Sequence, residues 1–211
     1  DIGVWLDIKT KENHTLRNEQ FLVNASKIAQ DPKALEKKKQ TLKSILGIID
    51  STNKTEDLEL LETLNKPALI YENKQYKIFK IRWNVVEGLH GEGLLVEPKE
   101  KPTAQIIAIP PPDITPESFC GLTNDKTVSM GKILADLGCR VIIPTIIDRK
   151  QGFSNNLDIP RKTNIPRREF VYRMAYEMGY QINGLEIQKL LPLINWFSFK
   201  DPTIPILPPQ R

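Results

Sequence analysis

AQIIAI at Ala104–Ile109, PPPDITPESFCG at Pro110–Gly121 and RVIIPTII at Arg140–Ile147 form the stretch that decides the fold. The first and last are short, nearly continuous apolar runs. Strands buried on both faces read this way, which points to a parallel sheet covered by helices. Between them Met130, Ile133, Leu134 and Leu137 recur at the spacing of one helical face, and Gly138 follows as a stop. A crossover joining two parallel strands is right-handed in nearly every known case. The Pro110–Gly121 loop then leaves the carboxyl edge of the sheet, where open α/β sheets bind ligands and do chemistry.

Upstream, the period changes twice. A weakly amphipathic stretch runs from about Asn13 to Ala29, with Phe21, Leu22, Ala25 and Ile28 as its apolar side. A second helix is better signalled: Asp31 can cap it, Pro32 suits its first position, and Leu35, Leu42, Ile45, Leu46 and Ile49 make one face. Ser51–Leu64 is polar and acidic and reads as a connection. From Pro67 the pattern alternates: Phe79, Ile81, Trp83 and Val85 point one way, and Lys80, Arg82 and Asn84 the other. Glu87–Gly93 reads as the turn of a hairpin whose second strand is Leu94–Glu97.

Downstream, Asp148–Asn164 is a long polar loop at the carboxyl edge. Pro166–Phe197 reads as one long helical segment with a kink near Gln188–Leu191, because Pro192 lacks a backbone donor. Arg161, Lys162, Arg167, Arg168 and Arg173 cluster in sequence, but Glu169 and Arg173 are spaced i, i+4 and can pair. The cluster is therefore expected to tie the helix start to the preceding loop. Asp201–Arg211 carries Pro202, Pro205, Pro208 and Pro209 and reads as a tail, neither helix nor central strand. Three segments follow: 1–65 helical, 66–200 mixed α/β with its sheet in Ala68–Pro144, and 201–211 proline-rich.

A 40% hydrophobic and 27% charged composition is that of an ordinary soluble globular protein. No apolar run approaches the length of a membrane span, so no membrane partner is expected. The formal charge of +4 is modest and interspersed, which argues against a nucleic-acid partner. Two cysteines, Cys120 and Cys139, imply no disulfide framework. The chain begins at Asp1 without Met, as a processed or excised piece would. Its sequons at Asn13, Asn24 and Asn53 matter only in a glycosylating pathway.

A hydrolase built on such a sheet holds its nucleophile on a sharp strand-to-helix turn, signed G-x-S-x-G for serine. That signature is absent. TVSMG at Thr127–Gly131 lacks the first glycine, and Ser129 reads as a helix-start residue. The histidines, His14 and His90, fall in a polar helix and a hairpin turn, away from the expected carboxyl edge, and make no metal constellation. Without G-x-G-x-x-G or a phosphate loop, no cofactor is expected. What remains is the first loop. Pro110, Pro111 and Pro112 have no N–H, so the first amides able to face an oxyanion are those of Asp113 and Ile114. Asp148 and Arg149 are the matching residues on the second loop and are expected to line a cleft with Asp113.

With KKKQTLKSILGIID (Lys37–Asp50), GEGLLVEP (Gly91–Pro98), IAIPPPDITPESFCGL (Ile107–Leu122), GCRVIIPTIIDR (Gly138–Arg149) and PRREFVYRMAYEMGYQINGLEIQKLLPLINWF (Pro166–Phe197), the chain resembles the N-terminal part of an α/β-hydrolase of the acetyl-xylan-esterase and dienelactone-hydrolase-like group. The resemblance implies an incomplete α/β-hydrolase-type mixed sheet flanked by helices and preceded by an N-terminal helical segment. It implies a parent that cleaves carboxylic esters, acetyl esters on carbohydrate among them, by an acyl-enzyme route. A secreted or periplasmic location is also implied, as is the remainder of the parent chain as a partner. In that group the nucleophile strand follows the long helix, whereas here Ser198 onward is proline-rich. The group's His-Gly after the first parallel strand is replaced by Pro110–Pro111. A non-catalytic binding or scaffolding domain derived from the same fold is the alternative.

Overall fold

A computed structural model describes residues 1–21, 30–48, 57–123, 129–150 and 165–207. The chain divides into two compact units, Asp1–Ile45 and Leu46–Arg211.

The first unit holds α1 (Ile2–Phe21) and nearly all of α2 (Pro32–Leu46). Helix α1 starts well before Asn13, because Asp1 caps it: its carboxylate accepts the Gly3 N–H at 3.1 Å. The sequence concealed this start, since Ile2, Val4, Trp5, Leu6 and Ile8 surround the helix instead of marking one side, and all are exposed. Of the apolar side expected there, Leu22, Ala25 and Ile28 lie outside the described residues. Asp31 caps α2 as its sequence implies, accepting from the Lys33 and Ala34 amides at 3.0 and 3.3 Å.

Among the described residues the second unit is a seven-stranded mixed sheet flanked by helices. In chain order its elements are β1 (Glu59–Leu60), β2 (Leu69–Glu72), β3 (Tyr76–Val86), β4 (Leu89–Pro98), β5 (Gln105–Ile107), α3 (Pro116–Phe119), α4 (Met130–Asp136), β6 (Arg140–Pro144), α5 (Arg167–Glu177), α6 (Ile182–Lys200) and β7 (Ile206–Leu207). The spatial order is β1-β3-β4-β6-β5-β7, with β2 also paired to β3. Strands β5 and β6 are parallel, Gln105 opposite Arg140 and Ile107 opposite Ile142, as the two apolar runs require. Alternation explains why those runs are unbroken. Ile106, Val141 and Ile143 enter a core under α3 and α4, while Ile107 and Ile142 enter a second core against Leu193, Trp196 and Phe197 of α6. Both faces are dry, so after the opening Gln105 and Arg140 the positions are apolar.

Five local expectations are corrected. The β3–β4 turn is only Glu87–Gly88, and Gly91 and Gly93 lie inside β4. They are strand glycines because their neighbours leave no room. A Cβ on Gly91 would lie 2.3 Å from the Trp83 ring, and one on Gly93 2.3 Å from the Ile143 carbonyl. The segment expected to be helical up to residue 65 instead ends in β1, a short edge strand on β3 held by Glu59–Arg82 at 2.8 Å. Helix α4 packs through Gly131, Leu134 and Ala135, leaving Met130, Ile133 and Leu137 exposed. Small residues win there because a Cβ on Gly131 would already lie 2.8 Å from Ile143. The long helical segment breaks at Gly179, not at Pro192. Gly179 has φ +81° and closes α5 with Gly179 N–H to Tyr176 O at 3.0 Å and Tyr180 N–H to Ala175 O at 2.9 Å. Pro192 stays inside α6, and one turn earlier the Lys189 carbonyl accepts the Trp83 indole N–H at 2.8 Å. Finally, Ile206–Leu207 is no tail: it pairs parallel to β5 at the sheet edge.

At the amino edge, Arg140 is 4% exposed yet saturated with partners. It bonds Glu97 at 2.6–3.0 Å, the Asp201 carboxylate, and Gln105 Oε1 at 3.3 Å. Burial pulls its pKa down, but the bonds to Glu97 and Asp201 outweigh that and hold it above the ordinary value.

Candidate functional site at the carboxyl edge

The exits of β5 and β6 are shaped by local chemistry. After Ile107, the Ala108 amide still donates to Ile142 O at 2.9 Å, and then Pro110–Pro112 remove three donors in succession. The chain turns at once: the Ile114 amide donates to Pro111 O at 3.0 Å. Of the two amides singled out for an oxyanion, Ile114's is thus committed to its own turn. Thr115 then caps α3 through its hydroxyl, which accepts the Ser118 amide at 3.2 Å, and Cys120 roots the loop in the core. Burial, and secondarily Glu117, pushes the Cys120 thiol up to about 12. It is an anchor, inert as a nucleophile at neutral pH.

The Asp113 carboxylate reaches across to the β6 exit. One oxygen accepts the Arg149 amide at 3.1 Å and the other lies 3.2 Å from its guanidinium. Asp148 turns the other way. It accepts the Lys150 amide at 3.0 Å, its carbonyl accepts the Arg168 amide at 3.0 Å, and its carboxylate stands 4.0 Å from Arg167. Asp113 and Arg149 therefore form one pair and Asp148 belongs to a second group, which ties the start of α5 to the β6 exit. Glu169 and Arg173 pair at 2.7 Å. Of the other basic residues, Arg161 and Lys162 lie outside the described residues.

Two residues at this edge were not singled out from the sequence, and a third was expected elsewhere. Glu186 of α6 is 8% exposed, and its Oε1 accepts both the Ile147 amide at 3.0 Å and Arg168 at 3.1 Å. Lys189 stands 2.8 Å from Oε2 but points its hydrogen bond at Thr145 O, 2.9 Å away. That leaves Oε2 with a charge contact and no aligned donor. The available signal was a lone Glu between Leu185 and Ile187. His90 is the third, and its expected position is corrected. An antiparallel β4 begins where β6 ends, so His90 sits at the carboxyl edge beside Asp148, Arg167, Lys189 and Thr145 around a cleft of about 190 Å³. That volume is below the roughly 300 Å³ at which small-molecule pockets usually start. Ser129 stands at the N-cap of α4 without a side-chain capping bond. Among the described residues no three metal-ligating side chains gather, and no helix is long and apolar enough to cross a membrane.

No family model and no curated protein matches the sequence. Among solved structures, the chain is similar to a crystal structure from Bacteroides fragilis that carries the name acetyl xylan esterase as a provisional assignment, with a TM-score of 0.52 and 16% identity. The two share a mixed sheet flanked by helices. The match covers 79% of this chain and 44% of that one, so the chain spans less than half the length of its neighbour. At such identity the likeness speaks for the fold alone.

Proposed function

We propose that these residues are the N-terminal part of a carboxylic-ester hydrolase of the acetyl-xylan-esterase-like group, with an ester, carbohydrate-linked in the favoured case, as substrate. The observation that carries the reading is β7. In that group the strand bearing the nucleophile follows the long helix, and here the strand after α6 joins β5 in parallel at the open side of the sheet. The neighbour's assigned name supports the same reading. In it, the Asp113 amide serves as an oxyanion donor beside the β5 exit, Asp148 and Arg149 line the approach, and the nucleophile, acid and histidine are supplied by the remainder of the parent. Acyl transfer needs all of these together, so the chain alone is inactive.

A binding or scaffolding domain on the same fold is the second reading. It is favoured by the internal pairing of charges at the carboxyl edge, Asp113 with Arg149 and Glu186 with Arg168. Fluorophosphonate labelling of the purified chain, with Ser129→Ala alongside, tests the first reading. No label on the chain alone, together with a G-x-S-x-G strand in the gene beyond Arg211, supports it. Stoichiometric label lost in Ser129→Ala overturns it, and a reading frame without that motif favours the scaffold.

A further inference from the structure

Among the described residues, strand β7 offers Ile206 and Leu207 to its neighbour. Parallel pairing is weak per residue, and two residues on a sheet edge cannot by themselves specify a register. Gln105 supplies what the ladder lacks. It is the first residue of β5 and is fully buried, and its side-chain nitrogen lies 3.4 Å from Phe197 O, 3.1 Å from Asp201 O and 3.2 Å from Ile204 O. Those carbonyls belong to the last turn of α6 and the descent into β7, where the Asp201 amide bonds Phe197 O and the Ile204 amide bonds Asp201 O. Two N–H hydrogens are shared among three acceptors, and the longest contact, to Phe197, is the weakest. The main-chain N–H of the same residue donates to Pro205 O at 2.9 Å. The side-chain oxygen accepts from Arg140, which also holds the Asp201 carboxylate.

We propose that Gln105 and Arg140 are positioning residues that recognise the closing turn of α6 and seat β7 on β5 in a single register. A primary amide is the side chain suited to the task. Its NH₂ gives the Phe197 and Asp201 carbonyls a second donor beside the turn's own amides and reaches Ile204 O as well, while its oxygen takes the guanidinium. Arg140 orients that amide so the donors face the turn. The consequence for catalysis, that the seat of β7 sets the geometry of a nucleophile beyond it, rests on the hydrolase reading. The seating itself does not.

Hydrogen exchange on the full 211-residue chain tests it. Gln105→Met fills the volume without donors, and Gln105→Glu keeps an oxygen for Arg140 but has no hydrogens for the carbonyls. Both should speed exchange across Asp201–Leu207 by roughly tenfold or more while the β3–β4 hairpin stays within about twofold of wild type. Arg140→Lys keeps the charge and loses the fork, and as the gentler variant should give a smaller acceleration over the same peptide. Unchanged protection of Asp201–Leu207 in Gln105→Glu overturns the proposal, as does a uniform acceleration that includes the hairpin. A failed hydrolase reading would show in fluorophosphonate labelling and leave these exchange results as they are.

Discussion

The two edges of the parallel strands are built differently. At the amino edge the Arg140 side chain is 5% exposed and is held by two carboxylates and an amide. At the carboxyl edge the principal cross-loop pair, Asp113–Arg149, is 50% and 61% exposed. A desolvated charge must have all its partners in place or the fold suffers, whereas a solvated pair can form and break at little cost. The amino edge is thus where strand positions are fixed, and the carboxyl edge is where loops keep freedom to meet a ligand. Glu186 is the exception, a buried carboxylate that stiffens the β6 exit from beneath.

Arg140→Met probes this contrast with the largest effect. The methionine fills the space but leaves Glu97 and Asp201 facing each other without a cation. These acids are 30% and 35% exposed, so water relieves part of the cost. A loss of about 2–4 kcal/mol is expected, somewhat below that for a fully buried broken pair. Urea denaturation should show a lower midpoint at unchanged slope. A loss under about 1 kcal/mol would mean the two edges do not differ in kind.

The sequence carried the central unit well and the punctuation poorly. Two short apolar runs around a helix placed β5 beside β6 in parallel, because IIAI and VII are apolar at successive positions, as strands buried on both faces are. Glycine was ambiguous. In EGLHGEG it suggests a turn, yet Gly91 is empty because Trp83 occupies its space, a tertiary fact invisible along the chain. At Met178–Gly179–Tyr180 the same residue does end a helix, and Pro192 drew attention from it. In α4 three of the four apolar residues at helical spacing are exposed, since Gly131 and Ala135 share the packed face with Leu134 and a Cβ on Gly131 would already meet Ile143. Topology put Asp113, Asp148 and Arg149 at one edge, but not which of the two acids meets Arg149. Glu186 and His90 could not, because each arrives at the carboxyl edge from an element whose direction in space had to be known.

Cys120 offers the second probe, at the rooted end of the carboxyl-edge loop. Its thiol is held near 12 against an ordinary 9.0. Above pH 9 the unfolded chain releases this proton first, so the thiol's contribution is complete below pH 9 and declines as pH rises toward 12. The slope approaches about 1.4 kcal/mol per pH unit in that window. Comparing wild type with Cys120→Ala at neutral pH and about one unit above 9 isolates the thiol from the lysines and tyrosines, which titrate in both. Wild type should lose about 1 kcal/mol more than the variant. Equal losses would mean that the loop opens to solvent and is not anchored there.

Asp113→Asn should give the smallest effect. The amide side chain can still accept the Arg149 main-chain N–H that now lies 3.1 Å from Oδ1, so the bridge between the two loops survives. What disappears is the charge opposite the guanidinium, in a pair so exposed that water and salt already screen it. The expected change is within about 0.5 kcal/mol, and it should shrink further at high salt. The backbone amide of residue 113, the group that matters if this loop serves an oxyanion, is untouched by the substitution. A stability loss comparable to that of Arg140→Met, persisting in high salt, would show that the carboxyl edge is locked as firmly as the amino edge, and the freedom assigned to its loops would have to be withdrawn.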